Sequence, residues 1–242
     1  MEKIVSEVPM THTQVPVNIG TSVFGLRYRD GVMLAADTAV AYGSMKKTKK
    51  ATRMAELSSE CAIACSGEMA DFQELLKMLR EKREADENEN DGAHFLKPRD
   101  YFNYLSRVNY QRRMKMDPLW NGSIIAGVRR DNGEPFLGSV DLYGTKIESG
   151  YLMNGLGTHY CQVLFENNWR ADMSEEEARA LIEDCMRVMF YRDKKATDEI
   201  QICKVTRAGV EIEPSYKIKS EWKLDWFKNM TNEHFRPIRI YQ

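Results

Sequence analysis

Net charge of either sign is missing from this sequence, in which 35 Lys and Arg stand against 36 Asp and Glu for a formal charge of -1 over 242 residues. A balanced chain has no electrostatic footprint for nucleic acid or an anionic lipid surface, and neither partner is expected. Long apolar runs are missing too. No stretch approaches the ~18 residues a membrane-spanning helix needs, and the N-terminal segment lacks the apolar core of a secretory signal. Cysteine is scarce and unpatterned: Cys61, Cys65, Cys161, Cys185 and Cys203 are odd in number, lie in apolar stretches and contain no C-x-x-C pair. That argues against a disulfide framework and against zinc, and the five read as buried thiols of a soluble chain in a reducing compartment. His12, His94, His159 and His234 stand far apart without ligand spacing, so neither a metal nor a cofactor is expected. Methionine is plentiful, and residues such as Met78, Met114 and Met186 read as fillers of core or interface gaps.

The first 20 residues, with Pro9 and Pro16, show no period and read as a loose leader. "GTSVFGLRYRDGVMLAAD" follows at 20–37, where Val23, Gly25, Arg27 and Arg29 alternate with Phe24, Leu26 and Tyr28 in strand fashion. Asp30-Gly31 supplies a hairpin signal before the apolar run Val32 to Ala36. Ala39 to Met45 and Ala62 to Cys65 continue the sheet, the latter stopping at Ser66-Gly67. From Ala70 the period changes, with Phe72, Leu75, Leu76 and Leu79 on one helical stripe. The helix is expected to dissolve into a solvated loop at "EADENENDGAH". Beyond Pro98, Tyr101, Tyr104, Leu105 and Val108 repeat the helical spacing. Arg107, Arg112, Arg113 and Lys115 lie on its other faces, where they suit the helix C-terminus and need no RNA partner. "NGSIIAGVRRDNG", "PFLGSVDLYG" and "KIESGYLM" read as an antiparallel meander. Two more helices follow, the second opened by a Ser174/Glu177 capping box, and a final hairpin is expected to turn at Ala208-Gly209. Paired helices between sets of strands imply two outer layers over two packed sheets: an α+β fold, a four-layer αββα sandwich over residues 21–216.

Thr21 heads the first hairpin, and a threonine so placed becomes a nucleophile when cleavage before it frees its own amine as the base. Uncleaved, it is only a strand residue. The element order, with "GTSVFGLRYRDGVMLAAD", "SGEMAD" and "RVMFYRD", resembles a proteasome beta subunit, whose fold is that of the N-terminal nucleophile hydrolases. The likeness spans about residues 13 to 216. "TQVPVNIGTSV", "YGS" at 42–44, "MKMDPLWN" and "CMRVMFYRD" are similar to the non-catalytic branch that stands seventh in ring order.

The resemblance implies a vestigial site. Thr21 takes the place of the nucleophile, and Asp37 and Asp193 match two acidic positions. Arg53 stands where active members carry a lysine, and Leu156 and Ala196 stand where they carry serines. An arginine is permanently protonated and cannot relay a proton, and each hydrogen-bond partner missing from a buried polar site costs roughly 1–3 kcal/mol. The resemblance thus implies a structural subunit, not an enzyme, in ubiquitin-dependent protein degradation. Its partners would be the other alpha and beta subunits of a stacked heptameric-ring particle, with assembly chaperones, in cytoplasm and nucleus. Cleavage is expected between His12 and Thr13 by an active neighbour. The alternative, an active threonine-type peptidase using Thr21, needs compensation at Arg53, Leu156 and Ala196 together. A stand-alone binding protein would leave the conjunction of Gly20-Thr21, Asp37, "SGEMAD" and "YRD" without a cause.

Residues 217–242 lie beyond the last expected strand. Trp222, Trp226, Phe227 and Met230 are at near-helical spacing, and Phe235, Ile238, Ile240 and Tyr241 follow around Pro237. So much apolar surface is rarely left in water. Folding back onto its own domain is one outcome; with Arg236 and Arg239 among the aromatics, the composition favours an inter-subunit arm.

Overall fold

The computed structural model describes residues 15–91 and 96–221. The first hairpin, β2 (Val23–Tyr28) and β3 (Gly31–Asp37), is buried on both faces. The alternation in β2 therefore does not separate core from solvent. Phe24, Leu26 and Tyr28 face a helical layer, while Val23 on the other face joins an apolar core between two sheets. The turn falls at Arg29-Asp30, one residue before the expected position, with Tyr28 paired to Gly31. Gly31 is needed for another reason: a Cβ there would stand 2.1 Å from the Val205 carbonyl oxygen of the next strand.

Before this hairpin runs β1 (Asn18–Gly20), and after it β4 (Val40–Tyr42), β5 (Met45–Thr48), β6 (Met54–Ser58) and β7 (Cys61–Glu68). Helices α1 (Met69–Glu89) and α2 (Pro98–Met114) follow, then β8 (Asn121–Val128), β9 (Pro135–Val140), β10 (Lys146–Glu148) and β11 (Tyr151–Asn154). The chain continues through α3 (Gly157–Tyr160), α4 (Gln162–Asn168) and α5 (Glu175–Arg192) to β12 (Glu199–Thr206), β13 (Gly209–Ile212) and β14 (Tyr216–Lys217). One sheet has the order β10-β9-β8-β7-β1-β4-β5, with β6 also on β7; the other has β11-β2-β3-β12-β13, with β14 also on β12. All the strand pairs among the described residues are antiparallel.

Three apolar layers account for the four-layer sandwich. Phe72, Leu75, Leu79, Tyr101 and Leu105 of α1 and α2 pack on Ile63 and Ile125 of the first sheet. Val32, Leu34, Ile124 and Leu137 meet between the sheets. Phe165, Ile182, Cys185 and Met189 of α4 and α5 cover Phe24, Met33 and Ile202 of the second. Burying each such side chain is worth about 1.5–3 kcal/mol, which fixes the inward face of every helix. The Ser174/Glu177 capping box is present, with Ser174 Oγ accepting from the Glu177 amide. The five cysteines are buried and unpaired.

Four expectations are corrected. The acidic tract is helical as far as Glu89, because Glu and Ala favour helix and Lys77–Glu81 and Arg83–Glu87 pair at i,i+4. Arg83 also ties this extension down by donating to the Leu57 carbonyl at 3.1 Å. "KIESGYLM" is not one strand of a meander: β10 and β11 are separated at Ser149-Gly150 and belong to different sheets. The last hairpin turns at Arg207-Ala208, with Thr206 opposite Gly209. Finally, the end of the expected loose leader is a strand. β1 lies in the middle of the first sheet, pairing Ile19 with Ala41 on one side and with Glu68 on the other. The Glu68 carboxylate fastens it, accepting from the amides of Val17 and Asn18. The arm residues Trp222, Trp226, Phe227, Phe235, Ile238 and Tyr241 lie outside the described residues, as does the Thr13 cleavage point.

Candidate functional site

Thr21 sits where β1 gives way to β2, so its position is set by two sheets at once: Gly20 pairs in the first and Val23 in the second. Its hydroxyl donates to Asp37 Oδ1 at 2.6 Å, and Asp37 ends β3, the strand hydrogen-bonded to β2. The hairpin register thus brings nucleophile position and carboxylate together. The other carboxylate oxygen, Oδ2, accepts from the Thr197 amide at 3.0 Å. Thr21 is 9% exposed and Asp37 2%.

Arg53 completes the group from the segment before β6 and is 1% exposed. Its Nε donates to the Asp37 carbonyl (2.9 Å), Nη1 to the Thr21 carbonyl (2.7 Å) and Nη2 to the Ser22 carbonyl (3.1 Å). Nη2 also forms an ion pair with the Asp37 carboxylate and stands 3.4 Å from the Thr21 hydroxyl oxygen. Room for this side chain depends on Gly20, where a Cβ would come within 2.5 Å of Arg53 Cδ. Burial pushes the Asp37 carboxyl above its ordinary value, and the Arg53 guanidinium, the Thr21 hydroxyl and the Thr197 amide pull against that shift. Burial also pushes the neighbouring Cys65 thiol up to about 12, so it stays protonated and is no substitute nucleophile.

A cleft of about 260 Å³ opens beside Thr21, lined by Ser66, Gly67, Gly155, Leu156, Asp193 and Lys195 among others. Of the six positions singled out in the sequence, Thr21, Asp37 and Arg53 are in direct contact, and Asp193 and Leu156 line the cleft. Leu156, 46% exposed, presents an apolar group to it. Asp193 caps the end of α5 and accepts from the Lys195 amide at 2.9 Å. Ala196 is placed differently: its side chain joins the apolar layer under α5, and its carbonyl accepts from Lys46 Nζ at 2.6 Å. Three contributors carry no readable sequence signal, because they act through the backbone or through fold-dependent neighbours. They are the Thr197 amide, Gly67 in the cleft wall, and Ser22, whose Oγ accepts from the Gly157 amide at 2.8 Å.

A hydroxyl attacks a carbonyl when a nearby base takes its proton. The partners of the Thr21 hydroxyl among the described residues are a carboxylate already matched by a guanidinium, and the guanidinium itself, which has donors only. The Thr21 nitrogen is a peptide nitrogen in the uncut chain, one residue after a strand inside a sheet.

Comparison with known proteins agrees with the geometry. The family model for proteasome subunits matches residues 17–205. The proteasome subunit beta type-4 of Arabidopsis thaliana is 37% identical over 94% of this chain and 91% of its own length. That of Xenopus laevis is 36% identical over 89% of each chain, and the probable proteasome subunit beta type-7 of Schizosaccharomyces pombe is 33% identical over 90% of this chain and 84% of its own. A double antiparallel sandwich, a threonine at the head of its first hairpin and a match running through nearly the whole described domain make one statement together: the chain belongs to the proteasome beta-subunit family.

Proposed function

We propose that this chain is a non-catalytic structural beta subunit of the proteasome core particle, needed for ring assembly and half-particle pairing. The observation that carries this reading is the Arg53 guanidinium. It binds Thr21, Ser22 and Asp37 at once, in the place where a catalytic lysine would tune the hydroxyl, and it holds hydroxyl and carboxyl in a closed arrangement. The position of β1 supports it from a second side. Cleavage directly before Thr21 would cut away the strand that joins the β4–β5 hairpin to the rest of its sheet.

Processing between His12 and Thr13 by an active neighbour fits this arrangement, since it leaves β1 and its Glu68 clasp attached. The subunit would then act in cytoplasm and nucleus within stacked heptameric rings, with assembly chaperones as transient partners; the arm, expected from residue 217, would reach across to neighbouring subunits from residue 222, because Lys217 pairs in β14 and Ile218 packs under α5. Mass spectrometry of the chain taken from assembled particles should find Thr13 as the first residue. A chain beginning at Thr21 would restore an amine base and support the peptidase reading instead; an intact Met1 would remove the processing step.

A further inference from the structure

At the end of β2 farthest from Thr21, a charged residue occupies a position meant for core. Arg27 lies on the same face of its strand as Val23, which belongs to the apolar layer between the sheets. It stands at the mouth of that layer, in a pocket of about 350 Å³ shared with Arg99, Arg129, Glu134, Phe136 and Glu148. The other cations there are matched, Lys97 by Glu60 at 3.8 Å. Arg99 forms a bidentate pair with Glu148 at 3.1 and 2.9 Å while lying 5.3 Å from the centre of the Phe136 ring. Arg129 pairs with Asp131 at 2.5 Å and approaches Glu134 at 3.9 Å. Arg27 has no such match: among the described residues its side chain makes no hydrogen bond and no ion pair, and its Nε is buried without a partner. Burial weighs against its charge, only partly offset by the field of Glu148 and Glu134.

A half-buried guanidinium with no partner lowers the stability of the chain that carries it, so a group from outside is the natural complement. We infer that the Arg27 pocket is a binding site for a single carboxylate, supplied by an Asp or Glu side chain of a protein packed against this end of the sandwich. A carboxylate meets the planar fork with two parallel hydrogen bonds. Asp100, Glu134 and Glu148 offset the charges of Lys97, Arg99 and Arg129 at the same pocket, which leaves a single positive charge and suits a monoanion over phosphate. The volume suits one side chain. The occupant rests on the proposed role within an assembly; the unmatched charge does not.

The test uses the full chain, alone and in competition with wild type during assembly with the other subunits. Arg27→Met keeps the length of the side chain and removes the charge. Alone, it should melt at the same temperature as wild type or higher, because an unmatched charge is gone. In competition it should enter particles about tenfold less, with Arg27→Lys between the two. Equal incorporation would overturn the inference, as would a loss of melting temperature in the isolated Met variant large enough to explain poor incorporation. If incorporation is equal but millimolar sodium glutarate raises the melting temperature of wild type and not of the variant, the site takes free carboxylates and the partner claim fails. Absence of the wild-type chain itself from particles would refute the assembly role, a separate result.

Discussion

Arg53→Met should destabilise the full chain by about 3–5 kcal/mol, the range for removing one partner of a buried ion pair. Arg53 is 1% exposed, and its removal leaves the Asp37 carboxylate in the interior with only the Thr21 hydroxyl and the Thr197 amide as donors. The carbonyls of Thr21, Asp37 and Ser22 lose a donor in the same step. A volume-conserving methionine limits the cavity, so the loss reports on charge and hydrogen bonding more than on packing. The effect should depend on pH with a definite sign. Without its counter-charge the Asp37 carboxyl titrates higher still in the folded state, so protonation favours the folded variant. The deficit is therefore full above the folded-state value and shrinks as the pH is lowered through it. Adding Asp37→Asn should recover part of the loss at neutral pH, since the uncompensated charge is then gone. Denaturant unfolding of the three chains measures this; a single-variant loss below about 1 kcal/mol would mean that the guanidinium is not the keystone of the site.

Deleting residues 222–242 should have the largest effect on assembly. The described residues form three apolar layers, and Ile218 packs into the one under α5, its amide donating to the Asp198 carbonyl at 2.9 Å. The truncated chain should accordingly fold and enter half-particles. The deleted stretch carries Trp222, Trp226, Phe227, Phe235, Ile238 and Tyr241 beside Arg236 and Arg239, a composition rich in the residue types that dominate binding energy at interfaces. Losing even two such anchors at ~2 kcal/mol each would slow or weaken half-particle pairing on the order of a thousandfold. Native gels following full-particle formation check this. Normal rate and yield from the truncated chain would return the segment to the surface of its own domain.

Much of this architecture was legible because helix and strand periods leave different marks. The stripes of α1 and α2 and the capping box at Ser174 are local signals, and the structure keeps them. What was not legible depended on tertiary partners. Asn18–Gly20 has no period of its own and becomes a strand because β4 and β7 offer two edges and Glu68 an anchor. The acidic tract becomes helix through pairs such as Arg83–Glu87 and a tie to Leu57, which composition alone does not reveal. Arg27 shares an alternating face with Val23, and only the second sheet shows that this face looks inward. At the site, the head of the hairpin pointed to Thr21, and the family resemblance to Asp37 and Arg53. Their mutual contacts required the hairpin register, and the placement of Ala196 in the apolar layer required the turn after α5.

The central claim is that Thr21 does no chemistry, and one measurement bears on it most directly. Particles assembled with Thr21→Ala in place of the wild-type chain should hydrolyse a panel of short fluorogenic peptides with acidic, basic or apolar residues at the cleavage point at wild-type rates. The substituted hydroxyl gives up one hydrogen bond to Asp37, whose Arg53 and Thr197 contacts remain, so assembly should be preserved. Loss of any one of these activities, with particle yield unchanged, would show that Thr21 is a working nucleophile and would contradict the account.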